Sequence, residues 1–202
     1  LRLSRNPHSR HSSNIPMSPE LTRAHAALTT GIYVLTVRDG QRRHGMSASW
    51  VTQALGHPPL LPARVARRHQ THEVIERTGA FALNVVGERA RHLEDYFFTA
   101  PSEPDNLGAL ACEDAPGGLP LLLGAMAALE CRVTERHVAG DHTIFVVAIE
   151  RVTWRGVDRP LTSQDLDYVY VGEVGARPRY LATACAGVAV AAARRTVKVE
   201  PS

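Results

Sequence analysis

Small and polar side chains alternate along one stretch of the sequence, Gly45-Met46-Ser47-Ala48-Ser49-Trp50-Val51-Thr52-Gln53. Alternation with a period of two is typical of a β-strand, and it places Ser47, Ser49 and Gln53 on the same face. A strand with so little bulk on one face allows a flat ligand to lie against its backbone. An ordinary barrel strand whose small residues face a crowded interior gives the same pattern, so this stretch alone leaves both interpretations open.

A cationic turn lies further along the chain, Arg67-Arg68-His69-Gln70-Thr71-His72-Glu73. Arg67 and Arg68 can give forked hydrogen bonds to phosphate oxygens. Thr71 is predicted to cap the following helix, whose free N–H groups and dipole attract an anion. The alternative is a solvated basic turn with a capping threonine.

One histidine follows a tight turn, in the stretch Gly140-Asp141-His142-Thr143. His142 can contact an anionic or aromatic ligand, or donate a proton near neutral pH. A turn histidine bonded locally by Asp141 is the simpler alternative. No metal site is predicted, because the histidine pairs of the sequence lack a third ligand at a recognised zinc spacing.

Length and composition predict one domain with tails. The chain has 202 residues, of which 44% are hydrophobic and 21% charged, which is ordinary globular usage. We expect residues 1–18 to be a disordered basic tail, residues 19–181 to be the folded domain and residues 182–202 to be an alanine-rich extension. No apolar run is long enough to cross a membrane, so no membrane partner is expected.

The net charge of +3 comes from the two tails, whereas the body between them is slightly acidic. A nucleic-acid surface needs clustered positive charge on the folded body, so nucleic-acid binding is not expected. The sequence has three cysteines, Cys112, Cys131 and Cys185, and no two of them are spaced as a CxxC pair. Reduced thiols in a cytoplasmic protein are the expected state.

Several enzyme classes lack their motifs in this sequence. There is no GxGxxG, no GxxxxGK[ST] and no GxSxG, so Rossmann, P-loop and serine-hydrolase sites are not supported. The single lysine, Lys198, lies in the tail, which argues against Schiff-base chemistry.

Turn and periodicity signals predict strands joined mainly by hairpins, with a few short helices. Such an order favours an antiparallel barrel. Helices are expected from Ser18 to about Leu28, over 71–77 and over 88–98. Strands are expected over 32–37, 43–55, 60–66, 80–86, 126–136, 143–154 and 168–171. Pro62 and Arg64 weaken the strand at 60–66. Residues 99–118 are expected to form a loop, and a flexible flap is one interpretation of that loop.

Taken in order, these segments resemble the flavin reductase-like family of FMN-binding split barrels, over about residues 20 to 172. The resemblance is closest to its flavoredoxin and flavin-reductase modules. The matching pieces are residues 30–36 (TGIYVLT), 44–53 (HGMSASWVTQ), 58–60 (PPL), 67–73 (RRHQTHE), 81–85 (FALNV), 129–131 (LEC) and 140–145 (GDHTIF).

The resemblance implies a mainly β fold with short helices, a six-stranded antiparallel split barrel, and a homodimer that holds FMN near the subunit interface. It also implies NADH or NADPH as the electron donor. The residues that would bind the flavin and its chain are Ser47, Ala48, Ser49, Trp50 and Gln53. Those that would hold its phosphate are Arg67, Arg68, Gln70 and Thr71. His142 would lie near the nicotinamide or flavin ring.

The chain departs from this family at Leu61-Pro62-Ala63-Arg64, where the family usually has an unbroken apolar strand. The resemblance therefore does not fix the backbone there, or its contact with the flavin ring. The leading functional hypothesis is an FMN-dependent oxidoreductase that passes hydride from NAD(P)H to flavin and on to a flavin, ferric or protein acceptor. A flavin-binding electron carrier and a flavin-free binding module are the alternatives.

Overall fold

The computed structural model describes residues 18–99, 105–170 and 174–176. The predicted tails therefore lie outside the described residues, apart from Ser18, which caps the first helix. The helices are α1 (Pro19–Ala26), α2 (Gln70–Thr78) and α3 (Arg91–Thr99), with 3-10 turns at Glu88–Ala90 and Ser163–Asp165. The strands are β1 (Tyr33–Asp39), β2 (Arg42–Ala48), β3 (Leu55–Gly56), β4 (Pro59–Ala66), β5 (Ala80–Val85), β6 (Cys112–Asp114), β7 (Pro120–Leu122), β8 (Ala127–Ala139), β9 (His142–Trp154), β10 (Tyr168–Tyr170) and β11 (Val174–Ala176).

Seven of these strands form one antiparallel sheet in the order β2-β1-β5-β8-β9-β4-β3. The mainly β prediction is confirmed, and the seventh strand is the two-residue β3. The hairpin between β1 and β2 turns at Gly40, whose φ of 58° suits glycine. β6 with β7 and β10 with β11 form two small separate hairpins.

The prediction of one strand over 43–55 was wrong, because β2 ends at Ala48. The chain then crosses to the other end of the sheet and runs beside β4. There the backbone of Arg64 donates to the carbonyl of Trp50 at 3.0 Å, and the backbone of Ala54 donates to the carbonyl of Leu60 at 3.0 Å. One continuous stretch thus contacts both ends of the sheet and closes the barrel.

Pro62 does not interrupt β4, contrary to the expected weakness of this strand. Its carbonyl accepts from the backbone of Thr52 at 3.3 Å. In an antiparallel ladder the nitrogen of a residue points to the same side as its carbonyl. The missing N–H of Pro62 therefore faces the irregular 49–54 segment, where few ladder bonds depend on it.

The barrel interior is filled by apolar side chains from alternate strand positions. Leu35, Phe81, Phe145 and Val147 are almost fully buried in this cluster, together with Ile75 from α2. A second cluster packs α3 and the returning chain against the outside of the sheet. It contains Ile32, Val34, Leu93, Leu107, Leu122 and Leu161. α3 is held here, which fixes its position over the end of β2.

The described part of the 99–118 segment is not a loose flap. Asn106 is 6% exposed, and its amide oxygen accepts from the backbone N–H of Gly45 at 2.8 Å. Its amide nitrogen donates to the carbonyl of the same residue at 2.8 Å. A Cβ at Gly45 would lie 2.7 Å from Phe97, so the close approach of α3 requires glycine there.

Asn106→Ala would leave both backbone groups of Gly45 without their side-chain partner in the interior. We expect it to lower the free energy of unfolding by about 2–4 kcal/mol, since each buried unsatisfied group costs about 1–3 kcal/mol. Urea denaturation measures the loss. Arg132→Ala is the control, because Arg132 pairs with Glu150 on the surface, and its loss should stay below about 1 kcal/mol. Equal losses in the two variants would contradict this role of Asn106.

Candidate functional site

A cavity of about 540 Å³ opens where the chain leaves β2. Its volume lies in the range of small-ligand sites, about 300–1,000 Å³. The walls come from β2 and residues 49–50, the ends of β4 and β9, the start of α2, one face of α3, and the returning chain around Ser163 to Tyr168.

The floor of the cavity is formed by Ser47, Ala48, Ser49 and Trp50, so these four predicted residues lie together. The indole of Trp50 is covered by the guanidinium of Arg64, whose central carbon lies 4.2 Å from the ring centroid. This distance is that of a cation–π contact. The departure from the family pattern at Arg64 therefore places a cation on the cavity wall.

Gln53 does not line this cavity. It lies in the exposed stretch 52–54, beyond Trp50. The prediction grouped it with Ser47 by strand alternation, and alternation fails once the strand ends at Ala48.

The basic end of the cavity is set by strand register. β4 and β9 pair so that Ala66 lies opposite His142, which brings the turn after β4 beside the start of β9. Arg68, His69 and Gln70 line the cavity at this point, at the N-terminus of α2. The structure therefore places Arg68, His69, Gln70 and His142 around the same cavity.

Two residues of the predicted phosphate group lie elsewhere. Arg67 lines a separate, more open groove with Glu73 and Arg77. Thr71 is not the helix cap, because His69 occupies the N-cap position. The Thr71 side chain is fully buried, and its hydroxyl lies 2.9 Å from Nδ1 of His44, so it is engaged in packing the helix onto β2.

Burial lowers the pKa of the imidazoles of His44 and His69, and neighbouring positive groups lower that of His69 further. Burial therefore favours the uncharged form of both rings. The positive charge at this end comes from Arg68 and from the N-terminus of α2. In the described part of the chain, no side-chain cap is present at His69, which leaves this helix end suited to an anion.

His142 forms a local bond to Asp141 and also lines the cavity, so the two interpretations of this residue are compatible. Its Nδ1 lies 2.6 Å from Oδ1 of Asp141, and this bond lowers the pKa of the aspartate. The imidazole is 2% exposed and lies 5.4 Å from the ring of Trp50. The local bond to Asp141 thus orients a ring that also forms part of the cavity wall.

The other end of the cavity holds a buried acid that the sequence did not indicate. Glu94 of α3 is 3% exposed and accepts hydrogen bonds from the hydroxyls of Ser47 and Tyr168. Burial raises the pKa of Glu94. The ring of Tyr168 stacks on Phe98 with centroids 4.4 Å apart, so the returning chain is held over the cavity.

One of the missed residues had a weak local signal. Glu94 is three and four residues before Phe97 and Phe98, so helical spacing places the carboxyl on an aromatic face. Asn106 and Tyr168 carry no such signal, because their roles depend on contacts with residues far away in the sequence. Among the described residues, no group of three metal-ligating side chains is close enough to hold a metal ion, and no helix there has the length and apolar character of a membrane span.

Known proteins are similar to this chain in sequence. The chain is 29% identical over 153 residues to an NADH-dependent flavin reductase of Rhodococcus, covering 72% of this chain and 84% of that protein. It is 31% identical over 140 residues to the putative diflavin flavoprotein A 2 of Synechocystis, covering 68% of this chain and 24% of that protein. The chain thus spans about a quarter of the length of such diflavin relatives.

Among solved structures, the NADH:FAD oxidoreductase of Streptomyces globisporus C-1027 superposes with a TM-score of 0.65 at 27% identity, covering 70% of this chain and 86% of that one. The model of the flavin reductase like domain matches residues 25–172. The fold, the ordered motifs and this match agree, and the chain belongs to the flavin reductase like domain family.

Proposed function

We propose that this chain is an FMN-dependent oxidoreductase that takes hydride from NADH or NADPH and passes electrons to a flavin, ferric or protein acceptor. The observation that carries the proposal is one cavity with a small-residue floor and a basic helix N-terminus at its end. The names of the Rhodococcus and Streptomyces relatives, an NADH-dependent flavin reductase and an NADH:FAD oxidoreductase, support it.

The residues present fit a flavin mononucleotide. Ser47, Ala48 and Ser49 bring the backbone close to a flat ring without bulk, and Trp50 closes the floor. At the other side, Arg68 and the start of α2 offer charge and N–H donors to a phosphate. When bound, the flavin would supply the redox chemistry, while the protein supplies binding and orientation.

His142 has a positioning role in this proposal. Asp141 holds the ring through Nδ1, which leaves Nε2 as the nitrogen available to a ligand. Because the ring is buried against Trp50, it cannot swing away into solvent. His142 would therefore orient a ligand ring through Nε2.

The second candidate is a flavin-binding electron carrier without nicotinamide turnover. The observation that favours it is the match to one quarter of a diflavin flavoprotein, in which the matching region accompanies other parts of a larger protein. In such a role, the electrons would come from a protein donor.

We propose in addition that the protein is a homodimer. Near the end of β9, Val152 and Trp154 are 58% and 62% exposed, and nearby Val157 is 84% exposed. Contiguous exposed apolar side chains often mark an interface. A cytoplasmic location stays a prediction from cysteine usage.

Anaerobic mixing with NADH and with NADPH tests the leading proposal. We expect the purified protein with bound FMN to lose its visible flavin absorbance when one of these donors is added. Bleaching only by a reduced protein donor would favour the electron carrier. Purified protein that is colourless and gains no thermal stability with excess FMN would contradict flavin binding altogether, because a ligand that binds only the native state must stabilise it.

Arg68→Ala tests the phosphate assignment. We expect it to weaken FMN about 10- to 100-fold, since a hydrogen bond to a charged group contributes about 1.5–3 kcal/mol. Riboflavin has no phosphate and should lose less than about threefold on the same scale. Titration of flavin fluorescence measures both affinities.

The matched control is Arg67→Ala, which removes the same charge from the neighbouring groove. It should change both affinities by less than about threefold. If Arg67→Ala weakens FMN as much as Arg68→Ala does, or if riboflavin weakens equally, the phosphate does not lie at Arg68.

Trp154→Glu tests the dimer. Placing a charge in an apolar interface is costly, so we expect the variant to sediment as a monomer while the wild-type protein sediments as a dimer. Sedimentation velocity measures both masses. A wild-type monomer, or a variant that remains dimeric, would contradict an interface at this surface.

A further inference from the structure

Glu94 is the buried ionisable group of the cavity that the proposed function does not use. It lies in the first half of α3 and lines the cavity beside Ser47 and Tyr168. Both of its carboxyl oxygens are engaged, since the Ser47 hydroxyl donates to Oε2 and the Tyr168 hydroxyl donates to Oε1. Three elements, β2, α3 and β10, therefore meet at this one carboxyl.

No described cation is paired with Glu94. On its own helix, Arg91 donates to the backbone carbonyl of Asp165 at 2.8 Å and adds positive charge near the carboxyl, while Asp95 adds negative charge. From the other elements, Ser47 and Tyr168 face the carboxyl directly. The charged and titratable groups on the remaining cavity walls are His44, Arg64, Arg68, His69 and His142. Burial is the largest influence on Glu94 and disfavours the carboxylate, as does Asp95, whereas the two hydroxyls and the charge of Arg91 stabilise it.

We propose that Glu94 is a positioning residue that couples entry of the flavin ring into the cavity to the uptake of one proton. This inference rests on the proposed flavin site. A ring that fills the cavity replaces solvent beside this buried carboxyl and its two hydroxyl partners, and a less polar surrounding disfavours the charged form. The neutral acid is therefore the form that accompanies the bound ring.

Protonation changes what Ser47 can offer to a ligand. An ionised carboxyl only accepts hydrogen bonds, so it engages the Ser47 hydrogen. A protonated carboxyl has a hydrogen of its own, and the Ser47 hydroxyl can then turn its hydrogen toward the cavity. Glu94 thereby sets the direction of a hydroxyl on the cavity floor.

The sign of the pH effect follows from linkage. Burial raises the pKa of Glu94 in the free protein, and replacing the cavity solvent with a flavin ring adds to this effect, so the bound state has the higher pKa. Between the two pKa values, binding takes up a proton, and affinity falls by at most about tenfold per pH unit as the pH rises. Below both values the affinity does not depend on this group.

The test measures riboflavin affinity between about pH 5.5 and pH 8.5 by fluorescence quenching. Riboflavin is used because the FMN phosphate itself titrates near pH 6. We expect the wild-type affinity to fall about 3- to 10-fold over this range. Glu94→Gln, which keeps the shape without the charge, should vary less than about twofold. The cavity histidines are the same in both proteins, so the difference between the profiles reports Glu94.

Tyr168→Phe is the second variant. It removes a donor that stabilises the carboxylate, so the fall in affinity should move to higher pH. Calorimetry of the wild-type protein in two buffers of different ionisation enthalpy gives the proton uptake directly, and it needs no variant to fold. Superimposable profiles for wild type and Glu94→Gln, or proton release on binding, would overturn the inference while leaving the flavin site intact. Absence of riboflavin and FMN binding at every pH would instead overturn the proposed function.

Discussion

The rest of the structure depends on one stretch of chain that pairs at both ends of the sheet. β2 forms a ladder with β1, and the residues after it form hydrogen bonds with β4. A sheet with free edges exposes unpaired backbone groups, and the residues after β2 cover those of β4. Because the change of partner occurs just after Ala48, the chain must bend there, and the bend opens the cavity.

The same closure decides which side chains reach the cavity. The pairing of β4 with β9 carries the basic turn and His142 to one end, while the packing of α3 on Gly45 carries Glu94 to the other. The cavity is therefore cationic at one end and acidic at the other. A ligand with an anionic tail and a neutral ring is the kind of molecule that this distribution of charge orients in one direction.

Much of this fold could be predicted because its signals are local. Proline and serine at the start of α1, the glycine turn after β1 and the apolar alternation of β5 each depend on a few neighbouring residues. The family pattern adds the split-barrel closure, which the solved neighbours confirm. The family pattern did not indicate that β2 ends at Ala48, because small residues continue to alternate beyond this position.

Less of the site could be predicted, because several of its contacts join residues that are distant in the sequence. Ser47 to Trp50, Arg68 and Gln70 meet as expected, since they lie on segments whose order and turns are readable. Thr71 was expected to cap α2, but the cap lies two residues earlier at His69, so Thr71 falls inside the helix and is buried. Arg67 lies before the helix and lines the neighbouring groove. Glu94 acquires its role only from Ser47 and Tyr168, which are distant in the sequence.

The bond between Asn106 and Gly45 has a consequence for solubility. β2 stands at one end of the ladder order, and at Gly45 both outward backbone groups are bound by the amide of Asn106. One side chain thus imitates the hydrogen bonds of a neighbouring strand. At that position the sheet offers no template to an extended segment of another chain, so the amide protects the molecule from edge-to-edge aggregation.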